Sequence, residues 1–180
     1  MIHHLADVQS KSIGDTTYIW QFVIVLPSAQ IGENCNINSH CFIENDVIIG
    51  DNVTIKCGVY LWDGMRISNN VFIGPNATFI NDNYPRSKDY PEKFLTTELG
   101  EGASIGAGCI ILGGVSIGNY SMVGAGSLVT KNIPNNTLWF GNPARQIGFI
   151  CNCGKKLERF LKCNNCQSEY KIIDGIIYKM

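Results

Sequence analysis

On a six-residue ruler laid along this chain, every position from Ile13 to Phe79 carries an aliphatic or aromatic side chain. A helix would repeat near 3.6 residues and a half-buried strand near 2, so neither accounts for the interval. In a sequence that is 45% hydrophobic, such an unbroken run arises by chance about once in 10⁴. The ruler breaks after Phe79 and resumes at Leu99, Ile105, Ile111, Ile117, Val123 and Val129. A second register lies four residues beyond each ruler position and runs from Thr17, Val23, Ala29, Cys35 and Cys41 to Cys109, Val115 and Ile133. Its side chains are mostly small or β-branched, which suits a tight inward-facing slot. Cys35, Cys41 and Cys109 are therefore expected in a core.

A longer period overlies the first. Ile-Gly pairs at 13–14, 31–32 and 49–50 recur every eighteen residues, and another stands at 117–118. A glycine returning at one point implies a turn with positive φ or a close backbone approach. Three hexads per circuit predict a three-sided coil of short parallel strands, each coil covering the unpaired edge of the last. An antiparallel sandwich would place turns every 8–12 residues and leave the eighteen-residue register unexplained. The fold class is all-β: a parallel β-helix over 1–147 with a loop insertion at about 82–98, followed by a Cys-rich tail over 148–180.

These repeats resemble the hexapeptide-repeat acyltransferases, whose left-handed parallel β-helices assemble as homotrimers with active sites between subunits. The segments SHCFIENDVIIGDNVTIKCGVYLWDG and NATFINDNYPRSKDYPEKF, in that order, are similar to one branch in particular. That branch N-acylates dTDP-3-amino-3,6-dideoxyhexoses from acyl-CoA, in routes to O-antigen and surface-layer sugars. A sister branch acetylates UDP-2-acetamido-3-amino-uronates and carries a loop closer to N-V-Y-N-P-R-S, whereas this chain reads NDNYPRS. The resemblance implies acetyl-CoA, or another short acyl-CoA, as donor.

The interruption carries the candidate chemistry. Pro85 and Pro91 preclude regular ladder pairing, and a long polar and aromatic loop in a compact repeat is a natural binding element. By register, Asn45, Asp63 and Asn81 stack on successive coils, with Asp46, Gly64 and Asp82 beside them. His40, Gly58 and Asn76 form a column one face earlier. Asn and Asp are also ordinary corner residues. Asn81 and Asp82 match the branch motif and open the loop, so they are the leading candidates to orient a sugar amine. His40 is either a solvated or structurally bonded histidine or a base. Trp62 is either a platform for sugar or base or a contact between subunits. Arg86 and Lys88 suit a nucleotide diphosphate, with simple solvation open for Lys88, and Tyr84 could cover a base or ribose. In SIGAGCIILGG and MVGAGSLVT, Gly106, Gly124 and Ala125 would let a pantetheine arm approach the backbone, although a turn accounts for each glycine singly. The resemblance places the cofactor along these late coils, closed by FGNPARQIG. Pro143 belongs to that closing segment of the cofactor site, and Lys131 and Arg145 are candidate contacts to the phosphates.

Charge and cysteine usage narrow the partners. Net charge is −1 with no basic run, which argues against nucleic acid. No apolar stretch reaches membrane-span length, and the first residues lack a signal-peptide core, so a cytoplasmic enzyme is expected. The tail reads CNCGKKLERFLKCNNC. Cys151, Cys153, Cys163 and Cys166 resemble the two ligand pairs of a small zinc ribbon, with a reduced hairpin and disulfides as the other readings. Lys155, Lys156, Arg159 and Lys162 are offset and lack an aromatic platform, so a cap on the β-helix suits the tail better than nucleic-acid binding. Two other functions compete. A trimeric carbonic anhydrase would need three zinc-binding histidines, and this chain offers His3, His4 and His40. A noncatalytic scaffold would use the loop to hold a protein. Outward Trp20, Leu26, Trp62 and Ile80 predict a homotrimer.

Overall fold

The computed structural model describes residues 1–158, 161–173 and 175–180; Arg159 lies outside them. Each hexad folds as a two-residue strand and a four-residue corner. In Ile48–Ile49, for example, the first side chain faces outward and the second is buried. Ruler residues stack directly, Ile31 on Ile49 and Ile49 on Ile67, in parallel register. Among the described residues the coils build three sheets of seven, six and eight strands; each takes every third strand in parallel, and the eight-stranded sheet ends in the antiparallel terminal hairpin. The first holds Asp7–Val8 through Leu128–Val129, the second Ser12–Ile13 through Ser116–Ile117, and the third begins at Tyr18–Ile19. Among the described residues there is no helix.

Both hydrophobic registers point inward. From Ile19 to Phe79 and from Leu99 to Val129 every ruler residue is buried, as is the second register from Thr17 to Ala77. Ile13, on the first coil, is half-buried. The slot thiols donate to carbonyls one coil on: Cys35 to Gly50 at 3.1 Å, Cys41 to Lys56 at 3.2 Å and Cys109 to Gly124 at 3.2 Å. Burial pushes the Cys41 thiol up to about 11, so these groups pack rather than react.

The corners solve a backbone problem. Their N–H groups cannot all join the ladders, and side chains from the next coil accept them instead. Asp51 Oδ1 takes the Glu33 N–H at 2.7 Å, and Asn69 Oδ1 takes that of Asp51 at 2.8 Å. The eighteen-residue glycine answers to closeness, not to φ: a Cβ on Gly32 would lie 2.7 Å from the Gly50 carbonyl. Positive φ falls elsewhere, in one column of Phe22, His40, Gly58, Asn76, Gly108 and Gly126 and in another of Asn34, Asn52, Asn70, Gly102, Tyr120 and Asn136.

The last coil departs from the expected register. Ile133 pairs with Ile117, so it occupies the ruler position instead of the second one. The corner after Leu128–Val129 is two residues shorter than the rule, which draws Ile133 inward. An antiparallel hairpin, Thr137–Gly141 against Ala144–Phe149, then closes the end. Trp139 fills the core there, and its indole N–H reaches Thr137 Oγ1 at 2.9 Å. Beyond it, Cys151, Leu157, Cys163, Tyr170 and Ile177 form a separate small core beneath the hairpin Tyr170–Ile173/Ile176–Lys179.

Candidate functional site

The insertion leaves the β-helix at the corner between the first and second sheets. Thr78–Phe79 and Thr97–Leu99 flank it, and Ile67 pairs with Leu99 as if the segment were absent. The Asn81 carbonyl accepts the Leu95 N–H at 3.0 Å, which closes the loop at its neck. Glycines above and below make room for that neck. A Cβ on Gly64 would stand 2.6 Å from the Leu95 carbonyl oxygen, and one on Gly113 2.9 Å from Leu95 Cδ1.

The polar ladder forms largely as its register requires. Asn45 Oδ1 accepts the Ser28 N–H at 3.2 Å, and Asp63 Oδ1 accepts that of Asp46 at 2.6 Å. Asn81 Nδ2 donates to the Asp63 carbonyl at 3.3 Å. Asp82 Oδ1 caps the loop's first turn by accepting the Tyr84 N–H at 2.9 Å. Asn45 and Asp63 thus spend one oxygen on the backbone, while Asn81 and Asp82 stand half-buried at the loop's neck. The tip projects further. Tyr84 is 89% exposed, Lys88 holds positive φ, and Arg86 bridges back to Asp89 in a tight turn.

Two residues that motif reasoning passed over belong here. Asn83 clamps the loop onto Gly113, and Glu44 Oε2 accepts the Asp63 N–H at 2.6 Å. Burial raises the Glu44 pKa, and the Asp63 charge adds to it, against a lowering by that N–H. Neither position is distinctive in sequence, because both are defined by contacts between coils.

His40 lies across the first sheet from the Asn81 corner, whereas Trp62 stands beside Asp63 on the Asn81 side. Phe22, Ile24, His40, Cys41, Phe42, Tyr60 and Trp62 line an open groove of about 450 Å³ on the outer face of the first sheet. His40 is exposed and stacks on Phe22 with ring centroids 5.1 Å apart. Trp62 is half-buried and clusters with Phe42 at 5.7 Å and Tyr60 at 5.9 Å. The expected outward set shifts accordingly. Leu26, Trp62 and Ile80 are half-covered by their own chain, and the exposed apolar side chains of this face are Phe22, Ile24, Tyr60 and Ile110. The second sheet's outer positions are mostly polar: Ser12, Gln30, Arg66, Glu98 and Ser116.

The late-coil positions follow the corner that enters the first sheet, on the His40 side. Packing already requires Gly106 and Gly124, since an added Cβ would lie 2.4 Å from Ala125 N and from Phe140 Cδ2 respectively. Ala125 is exposed beside them. Lys131 leaves the opposite edge of the same sheet, its Nζ 5.4 Å from the Trp139 ring centre. Pro143 and Arg145 are exposed on the terminal hairpin. Within one chain the full width of the first sheet therefore separates the Asn81 corner from His40, Gly106 and Gly124.

The tail brings its four cysteines together. All four Sγ atoms lie within 4.8 Å of one another, with Cys151–Cys166 and Cys153–Cys163 each at 3.4 Å. Every one is a free thiol. Hydrogen bonds from Ser168 bring Cys166 down to about 6, whereas burial pushes Cys151 up to about 12.

Known proteins share this architecture. The bacterial transferase hexapeptide model, which spans six repeats, matches residues 10–45, 28–61 and 96–131. A dTDP-3-amino-3,6-dideoxy-alpha-D-galactopyranose 3-N-acetyltransferase of Aneurinibacillus thermoaerophilus is 54% identical over 181 residues, which cover 99% of this chain and 94% of its own. The crystal structure of a hexapeptide-repeat acetyltransferase from Vibrio cholerae aligns with a TM-score of 0.58 at 28% identity, over 66% of this chain and 72% of that one. A variant of AntD, an N-acyltransferase from Bacillus cereus bound to dTDP and coenzyme A, aligns with a TM-score of 0.60 over 88% of this chain and 81% of its own. At 21% identity the likeness to AntD is one of fold.

Proposed function

The chain belongs to the bacterial hexapeptide transferases, and we propose that it carries acetyl from acetyl-CoA to the 3-amino group of a dTDP-3-amino-3,6-dideoxyhexose of galacto configuration. One observation carries the reading. The alignment with the Aneurinibacillus enzyme, 54% identical, covers 99% of this chain and so spans the repeat, the insertion and the tail.

The chemistry asks little of the protein as a base. A sugar amine with a pKa near the ~8 of an α-amino group is deprotonated at neutral pH for only ~1.4 kcal/mol. Its nitrogen attacks the thioester carbonyl, the C–N bond forms, and the C–S bond breaks as the tetrahedral intermediate collapses. The departing CoA thiolate takes the proton that the nitrogen releases. Asn81, with Asp82 beside it, accepts hydrogen bonds from the amine and holds its lone pair on line. Late-coil N–H groups steady the oxyanion. Tyr84, Arg86 and Lys88 receive the nucleotide, and the flank of Gly106, Gly124 and exposed Ala125 receives the pantetheine, with Arg145 of the same protomer near its phosphates and Lys131 reaching them from the Asn81 edge of the adjoining one.

The site is composite in this reading. The first sheet presents the molecule's apolar outer face, and its two edges carry the two halves of the machinery. Packing that face around a threefold axis covers the groove and brings the Asn81 corner of one protomer to the late-coil edge of the next.

The tail's donor set fits zinc. Four thiolates at a Zn–S length of about 2.3 Å would stand ~3.8 Å apart in a tetrahedron, between the contacts of 3.4 Å and the outer limit of 4.8 Å. Bound there, the metal would be structural, closing a small core that buries few side chains.

The deciding experiment measures CoA release with three acceptors: the galacto and gluco isomers of dTDP-3-amino-3,6-dideoxyhexose and a UDP-2-acetamido-3-amino-uronate. The galacto sugar should turn over fastest. Turnover of the uronate alone would overturn the proposal, as would no turnover of any acceptor.

A further inference from the structure

The small tail core is joined to the β-helix by a chain of polar contacts that runs from buried Asn136 through exposed Asn152 to buried Tyr170. Asn136 occupies a corner of the last coil with φ of 53° and is 8% exposed. Its carbonyl accepts the Ile150 N–H at 2.8 Å, and its Nδ2 donates to the Ile150 carbonyl at 3.0 Å and to Asn152 Oδ1 at 2.7 Å. The Asn152 main-chain N–H in turn donates to the Tyr170 hydroxyl at 2.9 Å. That hydroxyl stands 3.2 Å from Cys151 Sγ and 3.1 Å from Asn152 Oδ1. Tyr170 itself is 4% exposed and packs in the tail core beside Cys151, Cys163 and Ile177.

The hydroxyl has one proton and two acceptors within reach. With the metal bound, a neutral amide oxygen and the Cys151 thiolate would compete for it, and a donor bonded to an ionised acceptor makes the stronger contact. The amide oxygen is already served by Asn136, whereas the buried Cys151 sulfur has the Cys153 N–H as its other donor besides the neighbouring thiols. Cys153 and Cys166 sit at the exposed side of the cluster, where Asn165 Nδ2 at 3.7 Å and Ser168 Oγ at 3.3 Å approach them. Tyr170 thus serves the inner thiolate, and its ring is locked by packing on one side and by the Asn152 N–H on the other.

We propose that Tyr170 is the positioning residue of the four-cysteine metal centre, donating its hydroxyl proton to the Cys151 sulfur while Asn152 and Asn136 fix the same hydroxyl to the last coil of the β-helix. This rests on the zinc reading given above and goes beyond it in one respect. Metal occupancy and order in the terminal coil become linked, because each favours the same placement of residues 136, 152 and 170. The hairpin that bears Pro143 and Arg145 lies within that linkage, between Asn136 and Ile150.

The test uses the full-length protein, zinc and a competing chelator, with Tyr170→Phe and Asn152→Ala compared to wild type. Phenylalanine keeps the ring volume, so the tail core should persist, and thermal melts of the zinc-saturated forms check this. Tyr170→Phe is expected to weaken zinc binding by about 10- to 100-fold. Hydrogen exchange supplies a second readout. Stripping zinc from wild type should speed exchange across Thr137–Phe149, and Asn152→Ala should shrink that metal-dependent difference. Zinc held by Tyr170→Phe within about twofold of wild type overturns the proposal while leaving the zinc site intact. Wild-type exchange that ignores zinc overturns the linkage. A wild-type protein that takes up no zinc overturns both readings.

Discussion

The side-chain amide of Asn83 and the main chain of Gly113 form a reciprocal pair across one coil step. Asn83 Nδ2 donates to the Gly113 carbonyl at 3.2 Å, and the Gly113 N–H donates to Asn83 Oδ1 at 3.0 Å. The amide imitates a strand neighbour at the point where the insertion has removed one. Asn83→Ala should leave the β-helix folded, since each bond is worth only ~1 kcal/mol. The loop would lose its clamp. Steady-state kinetics should show a severalfold higher KM for the nucleotide sugar and an unchanged KM for acetyl-CoA. An equal rise in both would mean that the clamp supports the whole site.

Asn81→Ala removes an orienting group and not a base, so kcat should fall on the order of 10²-fold. Asp82→Asn should cost less. His40→Asn should leave turnover largely intact, because an amine with a pKa near ~8 needs no strong base. If His40→Asn abolishes turnover and with it an acidic limb near pH ~6.5, the histidine is the base and the direct-attack mechanism fails.

Composite sites predict complementation. Asn81→Ala disables one edge of the first sheet and Arg145→Ala the other. Trimers refolded from an equal mixture of the two variants should regain about a quarter of wild-type activity, since random assembly leaves that share of interfaces with both halves intact. Sites contained in one chain would regain nothing. Tyr60→Glu, on the exposed apolar face, should yield monomers in sedimentation.

Glu44 offers a pH signature. Burial raises its folded pKa above the unfolded value, so folding favours the protonated form. Its contribution is therefore fully favourable below the ordinary carboxylate range and is lost as pH rises through the folded pKa. Glu44→Gln keeps an acceptor for the Asp63 N–H and carries no charge. The variant should melt higher than wild type at neutral pH and converge with it toward pH ~4. A variant less stable at pH ~7 would show that the ionised carboxylate is engaged more strongly than the Asp63 contact suggests.

The six-residue period by itself determined the core, the three-sided coil and the position of the insertion. Inward burial at every sixth residue is a local rule that each hexad states independently, and the rule holds from Ile19 to Val129 on either side of the loop. The cysteine spacing likewise brought Cys151, Cys153, Cys163 and Cys166 to one cluster. Contacts between coils were a different matter. Ile133 left its expected register because a corner two residues short pulled it onto Ile117. Gly32 owes its place to the Gly50 backbone one coil on, and Asn83, Glu44 and Tyr170 owe theirs to partners nineteen to thirty residues away. The two halves of the candidate site parted for the same reason. Columns fixed by the eighteen-residue register say which residues share a corner, but the width of a sheet between corners exists only once the coils have stacked.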